Sequence, residues 1–372
     1  MTLYKKFLPG IVFLLTGLHG HADKGLFPDL RFADSLLPVS AGHMQKADIA
    51  PDLLEAEADY QRTRDDRKGL KRLLKVIKIK RLIPDSRRGY RLFTNLARFS
   101  ARLKLYPLAM KFYNKAGEYR KNTLLSWYRA PAFARSEIAH ADIEGDAAAE
   151  GTTLVDSATF SYMQNVDSLS SLAASPGVSS PPVEVCDLRE SFDDGKTAIS
   201  YALILHAKQP IPGKRRSFTH INNVGHTFIT LIKYNSDNSF TARSFGFYPH
   251  KKNIFSATPL HIRAPSVFKD DALHDWDESI GKFISAARFE RILDLLARYD
   301  HATYNLNRNN CTDFGLHVAA LVGISIADTR GTWPLGRGNN PANAGQSMLE
   351  GKFRDTDGGD REPLFVCNNV PH

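Results

Sequence analysis

Between residues 51 and 121 apolar side chains return every three or four positions. Leu70, Leu73, Leu74 and Ile77 form one such series, and Leu92, Leu96, Phe99 and Leu103 form another. That spacing gathers them on one helical face, and proline interrupts only at 51, 84 and 107, so the pattern predicts a helical N-terminal region. Further along the period changes. Residues 198–207, 226–234 and 240–248 are rich in β-branched and aromatic side chains, and the polar run Asn235-Ser236-Asp237-Asn238 between the last two suits a hairpin. Helical spacing returns from about 285 to 299, with Phe289, Ile292, Leu293 and Leu296 on one face, and again from Cys311 to a glycine stop at Gly323. Strands followed by helices predict an α+β class. The run GTWPLGRG at 331–338 follows no strand and lacks the Lys-Ser/Thr ending of a phosphate loop, so it reads as a loop.

Composition changes this picture in three places. Residues 144–182 are dominated by Ala, Ser, Gly, Thr and Asp and end in a Pro-Pro pair, with too few large apolar groups to offset the entropy of ordering. A linker is expected there. The organisation predicted is therefore a segment at 1–22, a basic helical domain at 45–140, a linker at 141–185, a second domain at 186–345 and a tail at 346–372. At the start, Lys5 and Lys6 precede an apolar run from Phe7 to Leu18 and a small-residue stretch ending at Ala22, the order of a secretory signal peptide cleaved after Ala22. About 12 apolar residues broken by Pro9 and Gly10 fall short of the roughly 20 that span a bilayer. A secreted or periplasmic location follows as an expectation. Finally, residues 61–121 carry twenty Lys and Arg against four Asp and Glu, more positive charge than the net +9 of the whole chain. Such a face suits an anionic envelope polymer or a membrane surface, or is a solvated face with no ligand; for an exported chain no nucleic acid is expected.

The segment LARFSARLKLYPLAMKFYNKA within that half resembles one tetratricopeptide unit, with Leu96 and Ala97 at first-helix positions and Tyr106, Ala109, Tyr113 and Ala116 at second-helix positions. Lys104 stands at the usual turn glycine and Ser100 at a usual aromatic, and no second copy follows at a period of about 34 residues. An ordinary helical hairpin is the other reading.

The candidate chemistry lies in YNLNRNNCTDFGLHVAALVG, residues 304–323. Asn310 is a natural N-cap, which puts Cys311 in the first helical turn. A thiol there meets the positive end of the helix dipole and free N–H groups, which favour the thiolate and can receive an oxyanion. Thirteen histidines compete to be its base. His226 opens the most strongly β segment, GHTFITL, whereas His317 lies about 240° around the helix from Cys311 and points away. Neither a C-x-x-C nor a clustered His/Cys set is present, so no metal and no cofactor are expected.

With these residues in view, the chain resembles the circularly permuted branch of the NlpC-type papain-like superfamily, in which a strand bearing Gly-His precedes a helix bearing Asn-Cys. The order is shared with lecithin:retinol acyltransferase and its relatives. GHTFITL, SFGFYP at 244–249 and YNLNRNNCTDF carry the likeness, which covers roughly residues 196–325. It implies a permuted papain-like domain with an antiparallel sheet and a Cys-bearing helix, and an acyl-enzyme chemistry at an amide or ester: Cys311 attacks, His226 moves the proton, and the Cys311 N–H helps bind the oxyanion. It also implies a third polar residue on the strand after the histidine. That strand offers Thr241, Arg243 and Ser244 but no His, Asn or Asp. Ser244 fills the role weakly, with Asn310 as oxyanion support, or the pattern is broken.

Substrates on this reading are peptide, lipid or peptidoglycan amides and esters of a cell envelope. Two other classes stand beside the thiol hydrolase: a non-catalytic binding module of the same fold, and a toxin-like effector. The remaining cysteines, Cys186 and Cys367, flank the second domain. Domain ends often lie close in space, so an exported chain is expected to pair them and leave Cys311 free; the alternative is that all three are reduced.

Overall fold

The computed structural model describes Leu70 and residues 86–129, 180–216, 224–250, 257–333, 335–357 and 364–369. The expected signal segment, and the linker except for its last residues, lie outside them. Two helices come first, α1 (Ser86–Arg102) and α2 (Tyr106–Arg129). Their mutual packing is apolar and aromatic: Phe93 stacks on Tyr119 with ring centroids 5.5 Å apart, and a Cβ at Gly89 would strike the Tyr119 ring. The turn between them holds Lys104 at φ 61°, a left-handed conformation in which glycine is the usual occupant. One helical hairpin of the expected helical domain is thus described, and the residues bearing on further repeats lie outside.

The rest is α+β as the pattern predicts. In chain order follow β1 (Pro182–Val183), α3 (Val185–Glu190), β2 (Ala198–Lys208), β3 (His226–Asn235), β4 (Phe240–Pro249), β5 (Arg263–Ala264), β6 (Ser266–Asp270), β7 (Glu278–Ile284) and α4 (Ala286–Tyr299). Then come β8 (Tyr304–Asn305), α5 (Cys311–Leu321), β9 (Ile324–Ile326), β10 (Arg330–Trp333), β11 (Gly336–Asn339), α6 (Pro341–Leu349), β12 (Phe353–Asp355) and β13 (Phe365–Asn368). Seven strands form one antiparallel sheet in the order β1-β6-β4-β3-β2-β7-β13.

Alternation along the strands assigns side chains to two covered faces. Ala202, Ile204, Phe228 and Ile232 face the helical hairpin and share its core with Leu96, Tyr106 and Met110. Leu203, Leu205, Ile229, Leu231 and Phe247 face the other way, toward Phe289 and Ile292 of α4 and Phe314 and Val318 of α5. Because both faces are covered, all ten residues of β3 are buried. Lys233 is accommodated there by donating to Phe192 O at 2.8 Å and Asp194 Oδ1 at 2.6 Å.

Several expectations are corrected. The 331–338 loop is a β-hairpin, β10 with β11, in which Trp333 pairs with Gly336 across a two-residue connection. Residues 182–190, placed partly in the linker, form β1 and α3. The expected tail contributes β12 and the edge strand β13, and α6 crosses the expected boundary at 345. The helical hairpin packs on the sheet: Tyr234 Oη donates to Pro107 O at 2.8 Å and Arg102 reaches Asn368 O at 3.4 Å. The Cys186–Cys367 bridge is absent, and all three cysteines are free. The reason is topological. Val185 and Leu188 anchor the Cys186 helix on the α4 side of the sheet, whereas Cys367 lies in the core on the hairpin side.

Candidate active site

Cys311 is the first residue of α5, and its neighbour Asn310 builds a complete capping box. The Asn310 side chain accepts from Thr312 N at 2.8 Å and Asp313 N at 3.1 Å, while Asp313 Oδ2 accepts from Asn310 N at 3.0 Å. Asn310 Nδ2 also donates to Leu306 O and to Asn339 O, both at 2.9 Å. Asn310 therefore acts as the cap that fixes the helix start, and the β10–β11 hairpin braces it. α5 lies close on the sheet because Gly315 has no side chain: a Cβ there would come within 2.8 Å of Leu205 Cδ1 and Thr227 Cγ2. Thr312 Oγ1 meets Thr227 Oγ1 at 3.0 Å, which sets the first turn of α5 against the first residues of β3.

This contact brings Cys311 to His226. Nε2 of His226 lies 3.0 Å from Asp271 Oδ2, so Nδ1 is the ring nitrogen left to serve the thiol, and the two groups shift each other's titration. Asp271 is fully buried, and its other oxygen accepts from Tyr248 Oη at 2.6 Å and Ser180 Oγ at 2.8 Å. Gly246 makes room for the pair, since a Cβ there would overlap both His226 Nε2 and Asp271 Oδ2. The ring is packed between Tyr248, centroid 4.1 Å away, and His274 at 5.0 Å.

The electrostatics run in one direction. Burial by itself lowers the His226 pKa, but the charge and hydrogen bond of Asp271, with help from Cys311, carry it up to about 9. Burial raises the Cys311 thiol, and His226, the Thr227 N–H and the Thr312 hydroxyl outweigh it, so the thiol sits below its ordinary value. Asp271 is likewise held below the usual carboxylate range, chiefly by His226 against the cost of burial. These shifts favour the ionised pair of thiol and imidazole, with a carboxylate behind it. Tyr304, on β8, is buried beside it, and burial together with the neighbouring Cys311 holds its phenol well above the ordinary value.

Ser244 is elsewhere engaged. Its hydroxyl is 2.7 Å from Thr230 Oγ1, which lies 2.9 Å from His206 Nε2, and His206 Nδ1 is 2.7 Å from Ser279 Oγ. This chain of side chains crosses four strands, and burial pushes His206 down to about 3, so it is neutral. The structure brings Asp271, not Ser244, to His226. Asp271, Tyr248 and Tyr304 were missed by sequence reasoning. His317 lies on the exposed side of α5, its Nδ1 3.4 Å from Tyr299 Oη. Among the described residues no group of three His, Cys, Asp or Glu is placed to hold a metal ion. Comparison with models of protein families, with curated proteins and with solved structures finds no match to this chain.

Proposed function

We propose that this chain is an exported thiol hydrolase or acyl transferase that works through an acyl-enzyme on amides or esters of a cell envelope. The observation that carries the reading is the buried arrangement of Cys311 at a capped helix start with His226, whose Nε2 is held at 3.0 Å by Asp271. In the proposed cycle the Cys311 thiolate attacks the carbonyl carbon, and the oxyanion is met by the Cys311 N–H with the Tyr304 hydroxyl beside it. The His226 imidazolium then gives its proton to the departing amine or alcohol as the C–N or C–O bond breaks. Water, or an acceptor alcohol or amine, loses a proton to His226 as it attacks the thioester, and the Cys311 thiolate leaves.

The same residues support a likeness to the permuted papain-like order, with the His-bearing strand β3 ahead of the Cys-bearing α5. A carboxylate in the third position favours turnover over a silent binding module. The positive excess of residues 61–121 suits an anionic polymer or membrane surface as the environment of the substrate. Among the described residues no helix is long and apolar enough to cross a membrane.

Incubation with p-nitrophenyl acetate tests the reading. An acetyl thioester on Cys311 that forms and turns over, and is lost in His226→Ala, supports it. A Cys311 that gains no acetyl group over hours would sink it.

A further inference from the structure

The turn between α1 and α2 brings the helical hairpin to the candidate active site. Lys104 adopts φ 61° there, a left-handed conformation that strains a residue with a Cβ and that glycine adopts freely. Its side chain is only 12% exposed, and Nζ donates to Leu273 O at 2.5 Å and Asp275 Oδ1 at 3.1 Å. Asp275 is 76% exposed, so that ion pair contributes little. The bond to the carbonyl is the informative one.

Leu273 sits in the turn that carries the acid. The N–H of Asp271 donates to Ser244 O, and His274 N–H folds back to Asp271 O, both at 2.9 Å. The far end of the same loop is tied by Asp277 N–H to Ala207 O at 2.9 Å. Between those ends the Lys104 ammonium grips residues 273 and 275, two and four positions beyond Asp271 and on either side of His274, which packs on the His226 ring. The hairpin is itself held firmly. Tyr106 packs on His206 with centroids 4.7 Å apart, and Arg102 Nε reaches Asn368 O at 3.4 Å.

We propose that Lys104 is a positioning residue of the active site, through which the N-terminal helical hairpin holds the 271–275 turn and so keeps Asp271 against His226. This rests on the thiol-hydrolase reading. Slackening the turn lengthens the Asp271–His226 contact, weakens the imidazolium and thereby the thiolate. The hairpin is then part of the catalytic unit and not only a carrier of positive charge.

The test is the pH dependence of Cys311 alkylation by iodoacetamide in the full chain, read by peptide mass in a Cys186→Ser background. Lys104→Gly removes the ammonium while relieving the left-handed backbone, so it separates positioning from stability; Lys104→Met is the second variant. In both, the alkylation rate at pH 6 is expected to fall about tenfold, an upward move of roughly one pH unit in the thiolate midpoint. Lys104→Arg restores it, and Asp275→Asn leaves it within about twofold. A low wild-type midpoint that persists in Lys104→Gly and Lys104→Met overturns the inference, even if melting temperature falls, because Lys104 is then merely structural. A wild-type midpoint in the ordinary thiol range overturns the hydrolase reading itself, and this inference with it.

Discussion

Replacing Asp271 by Asn removes one charge from the centre of the site and nearly nothing else. The amide has the carboxylate's shape, and the hydroxyls of Tyr248 and Ser180, at 2.6 and 2.8 Å, can donate to it or accept from it. What disappears is the attraction that lifts His226 from 6.5 to about 9 against burial, a difference of about 3 kcal/mol shared between Asp271 and Cys311. If Asp271 supplies half or more of it, His226 falls by about 1 to 2 units, and the imidazolium that stabilises the thiolate goes with it. Alkylation of Cys311 by iodoacetamide at pH 6 is then expected to slow by about 10- to 100-fold. Asp271→Ala is the harsher change, leaving a buried imidazole and two hydroxyls without their shared partner, at about 3 kcal/mol or more of stability. That corresponds to a melting temperature lower by roughly 6 to 12 °C. Stopped-flow or mass-resolved alkylation across pH, with calorimetry of both variants, makes the comparison. An Asp271→Asn protein whose alkylation profile superimposes on wild type would refute the assignment of Asp271 as the group that charges His226.

Three further outcomes are expected. His226 is raised above its unfolded value, so its contribution to stability is complete below about pH 6.5 and lost as pH rises through about 9; turnover of p-nitrophenyl acetate should decline over the same upper limb, and a flat rate to pH 10.5 contradicts it. Gly246→Ala should abolish Cys311 acetylation, since the new methyl overlaps His226 Nε2 and Asp271 Oδ2; full activity would mean that the two groups are not in contact during the reaction. Under non-reducing conditions Cys186 should alkylate in the native protein and Cys367 only after unfolding, and a peptide crosslinked through these two would contradict their placement on opposite sides of the sheet.

Local sequence determined a good deal of this protein. The β-branched and aromatic side chains of AISYALILHAK and HTFITLIKYN specify strands, and Asn310 with Asp313 writes the start of α5 into four consecutive residues. Cys311 was legible for the same reason, its position being a property of one helix end. Tertiary structure decided the rest. The stretch KDDALHDWDE offers four aspartates, 270, 271, 275 and 277, and nothing local distinguishes them. Asp271 meets His226 because β6 pairs with β4 so that Asp270 lies opposite Phe245, and β4 in turn pairs with β3, two registers set by hydrogen bonds across residues 45 positions apart. His206 and His226 lie on strands of similar composition, yet one is enclosed by Thr230, Ser279 and Tyr106 and is neutral, while the other meets a carboxylate and is charged. Ser244 looked available until β3 placed Thr230 opposite it. Hydrophobic pattern fixes which face a side chain takes. Which polar group it finds there depends on strand order and register, and those belong to the whole sheet.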